Sequence, residues 1–458
     1  MPSVDLAIQY AHKHHHIFVE TLKEVLRIPS VSTDPDHNQD MKKTASWLAA
    51  QLARLSFAGI EIFPTLGHPV VYGEIKAKKA NCPTVLVYGH YDVQPAEPLE
   101  MWETGAFDPE IRNDYLFARG SSDMKGQILA VFSALESIFA KSELAVNIKM
   151  ILEGEEEIGS PNVALFLQEH KDLLQCDFVL NPDAGIIAPD QPSIVYALRG
   201  LAYFELRVFG PAHDLHSGVF GGLIHNPAIA ICELIAGMHD EHGRVTLPGF
   251  YDSVRPLSKE ERVSLGRLPL PDSYYLENTG SSKLKGEDGY TPVEQVGARP
   301  TLDVNGLLSG FTGSGSKTVI PAWAMAKISM RLVPDQNPED VYQQLKSYLE
   351  LRAPDTIHWE LTSLSGGLPC ATDTNHPAAL ALARAMETVW GIPPVFKREG
   401  GSIPIATDMQ TILGRDSVLT GFGLPDDNIH APNERLHLPT WYKGIDALIY
   451  FFHEISTY

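Results

Sequence analysis

The sequence predicts an α/β protein, a mostly parallel-sheet catalytic domain interrupted by an inserted α+β lid. Three observations carry that expectation. Short apolar runs alternate with helical patterns in the first half of the chain, the texture changes after Tyr196 to alternating strands and apolar-faced helices, and the first texture returns from His376. At 458 residues the chain exceeds one ordinary core, so two domains are expected. The boundaries fall at 1–197 and 367–458 for the two parts of the catalytic domain, and at 198–366 for the lid.

In chain order, a helix is expected over about 5–27, with Ile8, Ala11, Phe18, Leu22, Val25 and Leu26 on one face. His12, His14, His15 and His16 fall inside it and read as a solvated face. A second helix near 38–56 sets Trp47, Leu48, Leu52 and Leu55 at helical spacing. Strands follow at Thr84–Tyr88, Tyr115–Ala118, Val146–Leu152 and Phe178–Leu180, with a helix from Lys125 to about Phe139 before the third. Continuous apolar runs of this length suit strands buried on both faces, hence a largely parallel sheet. Beyond Tyr196, Ala202–Phe209 alternates as a strand and Pro227–Met238 reads as a helix. The stretch 243–300, rich in Pro, Gly and charge, reads as an insertion or long loop. A strand within Thr318–Val333, a helix over Pro338–Leu351 and a strand ending near Leu361–Ser363 complete the lid; a helix to about Trp390 and a strand Ser417–Phe422 return to the first domain.

Composition narrows the function. Lys+Arg total 36 against 57 Asp+Glu, a formal charge of −21, which repels phosphate backbones and anionic membranes. Nucleic-acid and membrane partners are therefore not expected. Cys82, Cys176, Cys232 and Cys370 form no CxxC pair, which argues against a thiolate zinc site and a disulfide scaffold and suits the cytoplasm. The N-terminal stretch shows no basic segment leading into an apolar core, and no apolar run approaches the roughly 18–20 residues that span a bilayer.

The distribution of acids and histidines says more. His90 and Asp92 follow the strand at 84–88; Asp123 follows the strand at 115–118 and opens a helix; Glu155, Glu156 and Glu157 follow the strand at 146–152; Asp183 follows the strand at 178–180; His430 lies beyond Phe422. Each has a plain alternative, such as a helix cap for Asp123 or a turn at Pro182-Asp183. Five such clusters at five strand ends are not explained that way, because ligands of α/β sheets gather where strands end. Imidazole and carboxylate without thiolate suit Zn²⁺, Mn²⁺ or Co²⁺ at an open, catalytic site. Two such ions need a bridging carboxylate and one or two further ligands each. Asp123, Glu157 and Asp183 with one hydroxide would balance their charge, as burial requires.

The segments GHYDVQP (89–95), GSSDMKG (120–126), EGEEEIGS (153–160), DLHSGVFGG (214–222), KTVIP (317–321) and REGGSIP (398–404) resemble the M20 family of metallopeptidases, in particular its carnosinase-type dipeptidase branch, in unbroken order from about residue 20 onward. The resemblance implies a di-metal catalytic domain with an inserted lid that serves as the dimer interface, giving a homodimer that acts on small peptides. By position it implies that His90 and Asp183 ligate one metal, Glu157 and His430 the other, and that Asp123 bridges them. Asp92 would hydrogen-bond His90, and Glu156 would be the general base for a metal-bridging water. His216 would stabilise the oxyanion across the dimer, while Arg331, Thr318 and Ser402 would hold the substrate's terminal carboxylate. An amidase for N-acylated amino acids on the same metal core is the alternative activity, and a metal-free binding module the alternative class.

Overall fold

Thr84–His90 carries apolar side chains on consecutive positions because it is a central strand covered on both faces; every residue after Thr84 is buried. The computed structural model describes residues 3–401 and 403–455. It divides into two units: Met1–Tyr196 with Thr372–Lys397 and Pro404–Tyr458, and Ala197–Ala371 with Arg398–Ile403.

In the first unit, strands Asn147–Glu153, Thr84–His90, Phe178–Asn181 and Ser417–Leu419 lie side by side in that order, all parallel. Antiparallel strands flank them, Ala58–Phe63 and Val70–Ile75 on one side and Ser193–Leu198 on the other. The mixed α/β class with a mostly parallel central sheet is thus the one expected. Register pairs His90 with Glu153, and Leu419 with Asn181, so these strands finish at a common edge. The helix Lys125–Lys141 is buried at nearly every position of its first three turns, as an apolar sequence on all faces requires. Trp441, in the helix Leu438–Glu454, is fully buried and donates its indole N–H to Gly126 O (2.7 Å).

Two expectations need correction in this unit. Tyr115–Ala118 does not extend the main sheet: Tyr115–Phe117 pairs antiparallel with Glu110–Arg112 and Arg435–His437 in a separate three-stranded sheet. The cause is local, since Asn113 and Asp114 both take positive φ (48° and 66°) and close a tight hairpin. The histidine run is not uniformly solvated either. His15 stacks on Tyr442 (ring centroids 3.8 Å, 3° between planes), and burial pushes its pKa down to about 4.

The second unit is an antiparallel four-stranded sheet in the order Thr301–Ser309, Trp323–Leu332, Gly200–Phe209, His358–Gly367. Alternate residues of the two central strands are buried, including Phe204, Leu206, Val208, Ile328 and Met330, and they pack with Ile231, Leu234, Leu345 and Leu349 from the helices Pro227–Ala236 and Pro338–Arg352. The stretch 243–300 is not one loop. It contains the helices Lys259–Leu265, Asp272–Thr279 and Pro292–Ala298, the last closed by a reciprocal Thr291–Glu294 capping box. These helices, of seven or eight residues, are too short to show a period. No described helix is long and apolar enough to cross a membrane.

Candidate metal centre

The common edge of the parallel strands in the first unit gathers the acids and imidazoles. His90 is the last residue of its strand and is fully buried. Asp183 stands two residues past Phe178–Asn181, its N–H held by the Asn181 side chain (2.9 Å). Glu156 and Glu157 open a short turn three residues beyond Glu153. Asp123 arrives from the loop before Lys125–Lys141, and two glycines shape that loop. Gly120 sits at φ +83°, and a Cβ at Gly126 would fall inside the van der Waals surface of Ser121 O.

Asp123 is the centre of the cluster. His90 Nε2 lies 3.0 Å from its Oδ1, and His430 Nε2 lies 3.0 Å from its Oδ2. Asp183 Oδ1 is 3.7 Å from His90 Nε2, and Glu157 Oε2 is 3.2 Å from His430 Nε2. The donors therefore fall into two groups, one on each oxygen of a single carboxylate. One donor atom each from His90, Asp123 and Glu157 lie within 4.8 Å of one another. That is the proximity a shared set of cations demands and that like-charged carboxylates otherwise avoid.

Electrostatics reflect this crowding. Burial raises the Glu156 carboxyl to about 9, the charge of His90 opposing and those of Asp183, Asp123 and Glu157 adding. Burial also raises Asp183, against the pull of His90. Hydrogen bonds that His430 donates to Asp123 and Glu157 carry its pKa up to about 10. Burial would depress His90, but the charge of Asp183 and its hydrogen bonds to Asp123, Asp183 and Asp92 place it well above the ordinary histidine value. Burial would raise Asp123, yet the two imidazoles hold it below the ordinary carboxylate range. Deprotonated imidazoles and carboxylates crowded in this way are the donors that divalent cations take. The set of imidazole and carboxylate donors fits such ions.

Asp92 does more than the sequence suggested. His90 Nδ1 lies 3.4 Å from Asp92 Oδ1 and 3.2 Å from Asp92 O. The same carboxylate accepts the main-chain N–H groups of Glu156 (3.2 Å) and Glu157 (3.1 Å), so one buried side chain fixes both the imidazole and the acidic turn. The three consecutive glutamates are also told apart. Glu155 is buried and takes Asn162 Nδ2 (2.9 Å) and the His68 N–H (3.0 Å), leaving Glu156 and Glu157 to the cluster.

Sequence reasoning passed over three neighbours. Gln94 donates to Glu157 Oε2 (2.8 Å). Glu153, raised to about 8 by burial, accepts from Tyr88 (2.8 Å) and Ser160 (2.9 Å). Glu434 lies four residues past His430. Gln94 and Glu153 fall within the segments GHYDVQP and EGEEEIGS; Glu434, a glutamate in a polar loop, carries no such signal.

Of the remaining candidates, His216 and Thr318 lie together in the second unit, exposed on the two-stranded ladder Leu215–His216 with Val319–Ile320. Gly218 N–H donates to His216 Nδ1 (2.9 Å), leaving Nε2 outward, and Ser217 N–H donates to Thr318 O (3.2 Å). Arg331 sits on Trp323–Leu332 and lines a cavity of about 620 Å³ with Arg199, Lys285 and Arg299. Ser402 lies outside the described residues.

Comparison with known proteins finds relatives over nearly the whole chain. The chain is 32% identical to the Cys-Gly metallodipeptidase DUG1 of Candida albicans, over 95% of this chain and 94% of the relative. It is 31% identical to the Beta-Ala-His dipeptidase of Homo sapiens, over 99% and 93%. Among solved structures, an M20 family metallo-carboxypeptidase from Sulfolobus solfataricus superposes with a TM-score of 0.84 at 34% identity, covering 96% of this chain and 99% of the other. Residues 86–454 match peptidase family M20/M25/M40, and the chain belongs to that family.

Proposed function

We propose that the protein hydrolyses the amide bond of dipeptides or small peptide-like substrates with two divalent cations, Zn²⁺ or Mn²⁺ with Co²⁺ as a further candidate. The observation that carries this reading is Asp123, whose two oxygens each face a different imidazole at 3.0 Å. His90 and Asp183 would hold one ion, Glu157 and His430 the other, and Asp123 both. When bound, such ions supply a Lewis acid for the scissile carbonyl and lower the pKa of water.

The chain's own residues do the rest. Glu156 receives a proton at its carboxylate oxygen and returns it to the leaving nitrogen; its burial beside three other carboxylates favours the protonated form between those events. Asp92 keeps the His90 ring and the Glu156-Glu157 turn in fixed orientation. His216 offers an outward Nε2 as a donor to a developing oxyanion. Arg331 supplies a planar fork for a substrate carboxylate, with Thr318 and Ser402 at the same end. The second unit acts as lid and homodimer surface; exposed Leu307 and Phe311, at and just past the edge strand Thr301–Ser309, support that role. A cytoplasmic site of action suits four cysteines that form no disulfide.

The test is a substrate panel with metal control. Dialysis against a chelator is expected to abolish turnover, and Mn²⁺ or Zn²⁺ to restore it. Dipeptides are expected to be cleaved and N-acetyl or N-succinyl amino acids left intact. Turnover of the acyl compounds alone would replace this reading with the amidase one.

A further inference from the structure

Glu434 is buried with no side-chain exposure, and its two oxygens receive four donors. Oε1 accepts the main-chain N–H groups of Ser122 (3.0 Å) and Asp123 (3.1 Å). Oε2 accepts the N–H of Gly120 (2.9 Å) and Nη1 of Arg119 (2.8 Å). The main chain is pinned as well, with Ala118 N–H donating to Glu434 O (3.1 Å). A second buried carboxylate of the same loop repeats the tie: Asp427 Oδ2 accepts from Ser122 Oγ (2.7 Å) and Leu424 N–H (2.7 Å). Main-chain N–H groups from one short loop that converge on a carboxylate form an anion nest. Here the chain's own glutamate fills it, and that nest is the loop that carries Asp123.

Stability alone is a poor reason for this arrangement. Apolar side chains of similar volume often serve a buried site as well as an ion pair does. The loop that carries His430 supplies a better reason. His430 itself has φ +62°, with Asn428 at +55° and Asn433 at +61°. Left-handed backbone at residues other than glycine persists only where the surroundings hold it.

We infer that Glu434 is a positioning residue that locks the Asp123 loop to the His430 loop and so sets the place of His430 Nε2 against Asp123 Oδ2. The inference rests on the two-cation reading above and adds an asymmetry to it. His90 and Asp183 come from strand ends, whose place the sheet fixes. The half made by His430, Glu157 and Asp123 Oδ2 comes from a turn and two loops, and the two loops, those of Asp123 and His430, meet at Glu434. Glutamine is not a neutral replacement, because each oxygen of Glu434 takes two donors and an amide NH₂ can accept neither of its pair. Aspartate keeps both acceptors one methylene short.

The experiment is calorimetric titration of the metal-free full chain with Zn²⁺, with Glu157→Gln and Asp183→Asn as references for the two halves. Glu434→Gln is expected to weaken one of the two ions about 10- to 100-fold, in the pattern of Glu157→Gln and not of Asp183→Asn. Glu434→Asp should recover part of that loss, and kcat should fall with KM little changed. If the glutamine variant does not fold, the aspartate variant carries the same comparison. Wild-type affinity for both ions in Glu434→Gln would overturn the inference. Equal weakening of both ions in both variants, with matching loss of Tm, would also overturn it by leaving only a structural role. A wild-type chain that takes up fewer than two ions would instead bring down the two-cation reading itself.

Discussion

Glutamine in place of Glu156 is expected to lower turnover about 100- to 10,000-fold while both cations stay bound. The substitution keeps the size of the side chain and the main-chain anchor on Asp92 (3.2 Å) but removes the atom that accepts a proton. Burial raises the Glu156 carboxyl, the direction that favours holding a proton between accepting it and returning it. None of the close imidazole contacts of the cluster involves Glu156, so metal content should be unaffected. Steady-state kinetics with elemental analysis on the same preparation checks both halves of the prediction. If Glu156→Gln sheds an ion while Glu157→Gln keeps both, the two glutamates have exchanged roles.

Asparagine in place of Asp123 should do the most damage to the metal centre. Its oxygens meet His90 and His430 separately at 3.0 Å, so neutralising it removes charge from both groups of donors at once. Loss of a residue that merely orients a ligand costs about 10- to 100-fold in metal affinity, and loss of a shared ligand should exceed that range for both ions. Glu157→Gln, whose carboxylate pairs with the His430 imidazole (3.2 Å), should weaken a single ion. Elemental analysis after reconstitution distinguishes them: fewer than one ion per chain for Asp123→Asn, at least one for Glu157→Gln. Retention of two ions by Asp123→Asn would remove the bridging role.

What the sequence made legible follows from where physics leaves periodic traces. Val85–Tyr88 and Phe178–Leu180 announce buried strands because both faces must be apolar. His90 and Asp183 could then be read as lying at strand ends, where ligands of such sheets gather. Asp123 was legible as an acid after a strand, with its bridging role implied only by the resemblance; its place between two imidazoles depends on long-range packing. Tyr115–Phe117 does not reveal its sheet because a three-residue strand is compatible with any, and only the turn at Asn113 and Asp114 points to a hairpin. The helices between 259 and 298 are not legible because seven or eight residues show too little period, although the Thr291–Glu294 capping box is a local signal for the last of them. Glu434 left no trace at all. Its role comes from a loop more than three hundred residues away in sequence, and no local pattern encodes such a contact.

The central claim is that separated imidazoles and carboxylates hold a pair of cations around Asp123. Anomalous diffraction from crystals of the zinc- or manganese-loaded protein tests it most directly. Two peaks about 3.5–4 Å apart are expected, with the Asp123 carboxylate between them, one beside His90 and Asp183 and the other beside His430 and Glu157. A single peak, or a pair that leaves Asp123 uncoordinated, would contradict the account.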